Sequence, residues 1–139
     1  KINDFMSEWL ANLVDKKLKK SNRDESKINI LILGFAFKEN CPDFRNTKSI
    51  EVYKFLNKKG YQIDLVDPIV LADEVYKRHS IKLLKSIPKY KKYEAIICLV
   101  AHNIFREFSI EDWKSILEDK GHFFDLKGII PRALNPVRI

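Results

Sequence analysis

Two cations stand on the polar segment that follows the most apolar stretch of the chain. An apolar run from Ile28 to Leu33 ends at Gly34, and the segment after it carries Lys38 and Arg45. Such a run is typical of a strand buried in a parallel sheet, and ligands of these sheets bind just beyond the carboxyl ends of the strands. Positive charge at that place favours an anionic ligand. The pattern therefore predicts a site for a phosphate ester or a diphosphate.

Two further polar segments should reach the same edge of the sheet. The turn His102-Asn103 follows an apolar run from Ala95 to Ala101, and Asp125 to Gly128 end a run that begins at His122. In a doubly wound sheet the first strand and the Ala95–Ala101 strand flank the switch point, where ligands bind. The polar residues expected to gather there are Lys38, Asn40, Asp43, Arg45, His102, Asn103, Asp125 and Lys127. Such a set suits a charged, hydroxyl-rich ligand.

The same residues do not form a catalytic set. Gly34 stands alone, so the loop lacks the G-x-G-x-x-G pattern that brings a backbone close to a dinucleotide pyrophosphate. Asp67 follows a strand, where a Rossmann domain carries a ribose-binding acid, but Asp67-Pro68 is better explained as a turn. Cys41 has no base beside it, which argues against a nucleophile, and Cys98 is expected in the core. We predict no catalytic residue in this chain.

Three candidates have structural alternatives, and the first is Lys38, which could be a solvated loop lysine. Arg45 could bind phosphate or order its loop through Asp43, and both interpretations stay open. His102 is more simply a cap of the strand end or of the next helix than an acid–base group. Phe37 could pack on a nucleotide base from an exposed position, whereas Trp113 is expected in the core.

Hydrophobic periodicity predicts the elements that must position these residues. An amphipathic helix with three-and-four spacing covers Asn3 to Lys20, and a polar linker covers residues 21–27. Strands and helices then alternate, which is typical of a Rossmann-like, doubly wound parallel sheet. The predicted fold class is therefore α/β, with a long amphipathic helix before the sheet. The predicted strands are Ile28–Leu33, Gln62–Val66, Ile81–Leu84, Ala95–Ala101 and His122–Leu126, and the predicted helices in the sheet domain are Thr47–Lys59, Val70–Arg78 and Ile110–Leu117, the last stopped around Gly121.

Composition narrows the class of protein. With 139 residues, 45% hydrophobic and 32% charged, the chain is typical of one soluble domain. The net charge is +7, but the lysines are scattered and not interleaved with aromatic residues, so we do not expect nucleic-acid binding. No apolar run approaches the roughly 20 residues that span a bilayer. Cys41 and Cys98 have no metal-like spacing. We therefore expect a cytoplasmic protein with neither a membrane segment nor a metal site.

The polar loop resembles a known motif. Gly34-Phe35-Ala36-Phe37-Lys38, followed by Pro42-Asp43-Phe44-Arg45, strongly resembles the start of the C-terminal domain of the UDP-glucose/GDP-mannose dehydrogenase family. Its UDP-sugar dehydrogenases oxidise the C6 hydroxyl of a nucleotide-bound hexose to a carboxylate in two NAD-dependent steps. The resemblance implies that residues 28–139 form the UDP-sugar-binding, Rossmann-like domain. Residues 1–20 would then be the end of a central helix that takes part in a homodimer.

The resemblance also implies roles for single residues. Phe37 and Lys38 would contact the UDP-sugar, and Arg45 would reach toward the NAD bound by another domain. Lys127 stands where the glucose-oxidising members carry an arginine, and it would contact the substrate without the bidentate grip of an arginine. The NAD-binding domain and the catalytic cysteine of the family would lie upstream, so this chain by itself is expected to be inactive.

The finer features of the motif resemble one branch of that family. Residues 40–47 and 125–128 look most like the bacterial branch that acts on UDP-N-acetylhexosamines, with either the gluco or the galacto epimer, in capsule and surface-polysaccharide synthesis. Two alternatives stay open beside this oxidoreductase interpretation. The chain could be a free-standing nucleotide- or phosphate-binding module, or a dimerisation module built on its opening helix.

Overall fold

A parallel sheet carries the fold, and within the described residues it has five strands. The computed structural model describes residues 2–20, 24–45 and 47–139, the side chains of residues 2–5 excepted. The helices are α1 (Ile2–Lys19), α2 (Ser49–Lys58), α3 (Ala72–His79), α4 (Asn103–Arg106) and α5 (Ile110–Ser115), and the strands are β1 (Asn29–Leu33), β2 (Gln62–Val66), β3 (Tyr93–Cys98), β4 (Leu117–Asp125) and β5 (Val137–Arg138).

The strand order is β2-β1-β3-β4-β5, and every neighbouring pair is parallel. The sheet grows outward from β1 to β2 and then reverses to continue from β3 on the other side. β1 and β3 therefore flank the switch point at which ligands of such sheets bind. The predicted doubly wound α/β fold is confirmed.

The central strand explains why both faces of the sheet are covered. Ile30 and Ile32 of β1 point into one hydrophobic cluster, whereas Leu31 and Leu33 point into another. Because side chains alternate along a strand, a strand apolar at every position needs a helical layer on each side. The helices α1, α2 and α3 contribute to the first cluster, and α4 and α5 contribute to the second. Trp113 of α5 is fully buried in that second cluster, as predicted.

The opening helix is packed on the sheet domain. Leu10, Ala11 and Val14 of α1 are buried in the same cluster as α2, and the hydroxyl of Tyr61 donates a hydrogen bond to Asp15. The predicted helix is confirmed with bounds shifted by one residue. Of the predicted linker, residues 21–23 lie outside the described part, and Glu25–Lys27 form one 3-10 turn. In the described part of the chain, no helix combines the length and the apolar character needed to cross a membrane.

The predicted strand Ile81–Leu84 is wrong as a strand. In this segment only Leu84 pairs with the sheet, through one parallel bridge to Val66. Its N–H donates to the carbonyl of Leu65, and its carbonyl accepts from the N–H of Asp67. Ile81 and Leu83 are nonetheless buried. The alternating apolar residues of this segment correctly indicated alternating burial. Burial alone, however, does not require the segment to pair with a strand through a ladder of hydrogen bonds. Leu84 still lies outside β2, where a Rossmann sheet has its third strand.

The predicted bounds of the last helix and of the last strand are also wrong. The helix ends at Ser115 and β4 begins at Leu117, ahead of the predicted His122. Gly121, predicted to stop a helix, lies inside β4, where an added Cβ would stand 2.7 Å from Cδ1 of Leu117 and 3.0 Å from the carbonyl oxygen of Tyr93. This glycine therefore permits close packing of β4 on β3, a role that local sequence does not distinguish from a helix stop.

Candidate functional site

Three loops leave the sheet at one edge, as the sequence predicts. Leu33 at the end of β1 lies beside Cys98 at the end of β3, and Cys98 lies beside Asp125 at the end of β4. The segments that follow these residues therefore start side by side. We call residues 35–45, after β1, the ligand loop, and residues 126–130, after β4, the short loop.

The ligand loop begins with a close approach that only glycine allows. Gly34 has φ +105°, and a Cβ there would stand 2.5 Å from Cβ of Val100 and 2.8 Å from its backbone nitrogen. The carbonyl of Gly34 accepts a 2.6 Å hydrogen bond from the buried hydroxyl of Ser49. Gly34 thus packs the first turn of the loop tightly onto the segment after β3. Ser49 was missed in the sequence, because a serine near a helix start carries no signal for this contact.

A buried carboxylate holds the next part of the ligand loop. One oxygen of Asp67 accepts hydrogen bonds from the backbone N–H groups of Phe35 (2.7 Å) and Ala36 (2.9 Å). The other oxygen accepts from Ile69 and Val70 in its own turn. Burial favours the neutral acid, but the hydrogen bonds from His102 and from these amides outweigh it and hold the pKa of Asp67 at about 2. The predicted turn is confirmed, and the carboxylate also fixes the loop.

His102 connects that carboxylate to the middle of the ligand loop. Its side chain is fully buried; Nε2 lies 2.9 Å from Asp67, and Nδ1 accepts a 2.8 Å hydrogen bond from Asn40 N–H. The side-chain oxygen of Asn40 in turn accepts from Asn103 N–H at 3.0 Å. Of the predicted site residues, Asn40, His102 and Asn103 are therefore in direct contact, and His102 has a structural role at the strand end.

Phe37 and Lys38 lie on the ligand loop between the residues that bind Asp67 and the residue that binds His102. Phe37 is 53% exposed, and its N–H donates a 2.7 Å hydrogen bond to the carbonyl of Asp43, which closes the loop. Lys38 is exposed, and it forms no ion pair with the described part of the chain. The loop therefore presents an aromatic ring and a cation to solvent at the carboxyl edge of the sheet.

Arg45 is paired with Asp43 on the far side of the same loop. Nε and Nη2 of Arg45 lie 3.1 and 2.9 Å from the two carboxylate oxygens. These hydrogen bonds hold the pKa of Asp43 at about 2. Arg45 also lines a groove of about 450 Å³ together with Lys77 and Arg78 of α3. The loop-ordering role is thus present in the structure, and the guanidinium stays open to a ligand.

The short loop is built around a second buried carboxylate. Asp125 accepts hydrogen bonds from the backbone N–H groups of four residues in that loop, at 2.9–3.3 Å. Asp125 was predicted as a ligand contact, but its oxygens are occupied by the backbone and its side chain is buried. What the loop offers to a ligand is Lys127, which is exposed.

Neither cysteine has the surroundings of a nucleophile. Burial raises the pKa of Cys98 to about 12, which keeps its thiol protonated and confirms its place in the core. Cys41 is half-buried and free. In the described ranges there is also no group of three or more His, Cys, Asp and Glu side chains that could hold a metal ion.

The fold and the site together define a Rossmann-like domain whose polar loops converge at the switch point. A sequence model described as the UDP-binding domain of the UDP-glucose/GDP-mannose dehydrogenase family matches residues 31–132. The chain therefore belongs to that family.

Curated relatives agree with this assignment. The UDP-N-acetyl-D-glucosamine 6-dehydrogenase of Salmonella typhi is 37% identical over 139 residues, covering 100% of this chain and 32% of that protein. Protein CapL of Staphylococcus aureus is 32% identical over 130 residues, covering 94% of this chain and 30% of that protein. The chain thus spans about a third of the length of these relatives.

Solved structures show the same fold. The NDP-N-acetyl-D-galactosaminuronic acid dehydrogenase of Methanosarcina mazei Go1 superposes with a TM-score of 0.79 at 22% identity, covering 96% of this chain and 28% of that one. The UDP-N-acetyl-mannosamine dehydrogenase Cap5O of Staphylococcus aureus superposes with a TM-score of 0.70 at 17% identity, covering 90% and 27%.

Proposed function

We propose that this chain is the UDP-sugar-binding part of an NAD-dependent UDP-sugar 6-dehydrogenase that acts on a UDP-N-acetylhexosamine. The observation that carries the proposal is the ligand loop, which presents Phe37 and Lys38 at the switch point of a family-matched domain. The names of relatives such as the Salmonella typhi enzyme support the N-acetylhexosamine substrate. Oxidation of C6 to a carboxylate belongs to the whole enzyme, and the chain by itself is expected to be inactive.

Lys38 is the proposed contact to the diphosphate. An exposed ammonium group that is not paired within the described residues keeps its charge available for an incoming phosphate, and a charge-assisted hydrogen bond is stronger than a neutral one. Phe37, next to it, offers a ring face on which a base or sugar can pack. Remote contacts of this kind position the reacting carbon without touching it.

Lys127 is the proposed second substrate contact. Its loop is fixed by four hydrogen bonds to Asp125, so the base of its side chain is well placed even though its end is exposed. A lysine supplies a point charge rather than a planar fork. We therefore expect Lys127 to contribute less affinity than Lys38.

Arg45 is the proposed contact to NAD, the cofactor of the dehydrogenases of this family. The groove beside it is lined by the cations Arg45, Lys77 and Arg78. Asp43 and Glu74 also line it and pair with Arg45 and Lys77, so the lining keeps an excess of one positive charge for a phosphate group. Gly34 does not provide the usual pyrophosphate cradle, because the space beside its Cα is filled by Val100. The residues present thus fit one peripheral contact to the cofactor, which supplies hydride acceptance, and not its main binding site.

The exposed face of α1 supports a proposed homodimer. Leu10 and Val14 bury one side of the helix, yet Met6 is 38% and Trp9 is 44% exposed on another. Exposed large apolar residues on a helix mark a surface suited to another helix. We propose that this surface joins two copies of the enzyme. We also propose that the enzyme works in the cytoplasm, in capsule or surface-polysaccharide synthesis.

The test is an NMR titration of the isotope-labelled chain with UDP. We expect saturable amide shifts in residues 34–45 and 125–128, and Lys38→Ala should weaken binding by roughly tenfold, the loss of one charged hydrogen bond. Lys120→Ala is the matched control, because it removes the same charge from an exposed position on β4 away from the carboxyl edge. Shifts confined to other parts of the sheet, or equal effects of the two substitutions, would contradict the proposal.

A further inference from the structure

A continuous line of hydrogen bonds, buried at its inner end, runs from the end of β2 to the exposed middle of the ligand loop. Asp67 and His102 are both fully buried, and each belongs to the residue stretch just after a strand. Nε2 of His102 lies 2.9 Å from Asp67, and Nδ1 lies 2.8 Å from the backbone nitrogen of Asn40. The ends of β2 and β3, the strands on either side of β1, are therefore joined to one loop residue through a single imidazole ring.

The partners of this ring determine where its proton lies. The backbone N–H of Asn40 can only donate, so Nδ1 must offer its lone pair. Nε2 must then carry the hydrogen, which it donates to the carboxylate of Asp67, a group that only accepts. The ring is thus an acceptor on the loop side and a donor on the sheet side. Neither nitrogen is left to exchange a proton with a substrate.

The loop residue at the end of this line is in a conformation that needs support. Asn40 has φ +56°, a value that residues other than glycine adopt rarely, although asparagine tolerates it better than most. Residues 37–40 are all exposed, so burial of apolar surface does not hold them. Their shape depends on hydrogen bonds, of which His102 Nδ1 and Asn103 N–H supply the two at Asn40.

We propose that His102 is a positioning residue for nucleotide binding, which holds Asn40 and thereby places Lys38, two residues before it, for the diphosphate. The inference rests on the proposed function of the ligand loop. It assigns to His102 an effect on affinity that exceeds its effect on folding. Preorganisation of a binding loop raises affinity because less conformational freedom is lost when the ligand binds.

Two substitutions separate the two sides of the ring. The amide oxygen of asparagine can stand where Nδ1 stands, so His102→Asn keeps an acceptor for Asn40 and loses the donor to Asp67. The amide nitrogen of glutamine can stand where Nε2 stands, so His102→Gln keeps the donor and loses the acceptor. His102→Asn removes one of the five hydrogen bonds to the buried Asp67, and His102→Gln leaves Asn40 N–H without its acceptor. Each variant should therefore lower the melting temperature.

The experiment measures UDP affinity, melting temperature and amide hydrogen exchange of residues 36–45 for the 139-residue chain and both variants. We expect His102→Gln to weaken UDP binding about tenfold and to speed exchange at Asn40, whereas His102→Asn stays within about threefold of the original affinity. Asn40→Gly, which leaves the buried pair intact, should weaken UDP binding several-fold with little change in melting temperature.

Affinities that simply follow melting temperature across these variants, or a larger loss for His102→Asn than for His102→Gln, would overturn the inference. If both His102 variants fail to fold, hydrogen exchange at the Asn40 amide of the unsubstituted chain decides, because this amide is the one that His102 Nδ1 accepts from, and an unprotected amide there overturns the inference. Failure of the proposed function looks different: the unsubstituted chain would then not bind UDP, while exchange at Asn40 would still report whether His102 positions the loop.

Discussion

The two loops at the carboxyl edge of the sheet each present a lysine, and each is held by a buried aspartate, but the aspartates come from different places. Asp125 accepts hydrogen bonds from residues that follow it directly in the short loop. Asp67 follows β2 and accepts from Phe35 in the ligand loop, 32 residues earlier in the chain. The carboxylate that holds the short loop thus precedes it directly in the chain, whereas the carboxylate that holds the ligand loop comes from the end of another strand.

The difference means that the two loops depend on the fold in different ways. The four N–H groups that bind Asp125 in the short loop lie within five residues of it. Contacts of Leu126 with Cys98 and of Ile130 with Arg138 add tertiary support to this local closure. The ligand loop reaches its shape only after β1, β2 and β3 are side by side, because Asp67 and His102 then stand beneath it. The shape of the ligand loop therefore depends on the correct assembly of the sheet that carries it.

The largest expected effect comes from replacing the two aspartates by asparagine. Both oxygens of Asp67 accept, three donors facing one and two facing the other, so an amide NH2 group would oppose N–H groups on either side. We expect Asp67→Asn to cost about 3 kcal/mol of unfolding free energy, measured by urea denaturation. Asp125→Asn can turn its NH2 toward the side that holds a single backbone donor, Ile130 N–H, with Arg138 Nη2 3.9 Å away, and should cost about 1 kcal/mol. Equal losses would show that the loops do not differ as described.

The glycines of the two loops should differ in the same direction. Gly34→Ala would set a Cβ 2.5 Å from Val100 at φ +105°, and we expect a loss of about 3 kcal/mol, since strain and overlap add. Gly128→Ala, at φ +73°, meets only the end of Arg138 at 3.2 Å and should cost about 1 kcal/mol. Thermal unfolding of both variants measures the difference, and a Gly128 effect as large as that of Gly34 would contradict it.

Acid should reduce the stability that Asp67, the buried carboxylate that holds the ligand loop, gives to the fold. The pKa of Asp67 lies at about 2 in the folded chain, against an ordinary value of 3.8, because hydrogen bonds from His102 and backbone amides outweigh its burial. Its folded pKa is depressed, so the carboxylate stabilises the fold above the ordinary pKa, and this contribution is lost as the pH falls through about 2. We expect a loss of about 2 kcal/mol across that window.

Urea unfolding between pH 5 and pH 2 checks this expectation. Asp67→Asn should flatten the acid dependence relative to the unsubstituted chain. Asp43→Asn is the comparison variant, because Asp43 lies on the exposed loop surface, where solvent screens its ion pair with Arg45. If Asp43→Asn flattened the curve as much as Asp67→Asn, the acid dependence could not be attributed to the buried anchor.

The smallest expected effect concerns the lysine of the short loop. Lys127→Arg should tighten UDP binding by about threefold, because a guanidinium can make two parallel hydrogen bonds to a phosphate. Lys120→Arg, on β4 away from this edge, should leave the affinity unchanged. Isothermal titration with UDP measures both. A weaker affinity for Lys127→Arg would indicate that the short loop holds its lysine in a geometry that an arginine does not fit.

Part of the candidate site could be read from local sequence. The apolar run before Gly34 predicted a central strand, and the alternation of strands and helices predicted the doubly wound sheet. Parallel strands end at one edge, so the gathering of Asn40, His102 and Asn103 followed from topology alone. These predictions succeeded because they depend on burial and chain direction, both of which a sequence displays.

Other features needed the assembled structure. Ile81–Leu84 has the alternating burial of a strand, yet only Leu84 meets an open sheet edge. Asp125 reads as a ligand contact by its position, whereas its oxygens are taken by the backbone N–H groups of its own loop. The sequence does not show which partner will form the hydrogen bonds of a given polar group.

The sequence by itself determined the strands β1, β2 and β3, their order in the chain and the polar loop that carries Phe37 and Lys38, because apolar periodicity and loop polarity are local properties. Only the tertiary structure decided that Asp67 and His102 support the ligand loop. Their carboxylate and imidazole are satisfied by residues 31 to 62 positions away, and such pairings exist only once the strands lie side by side.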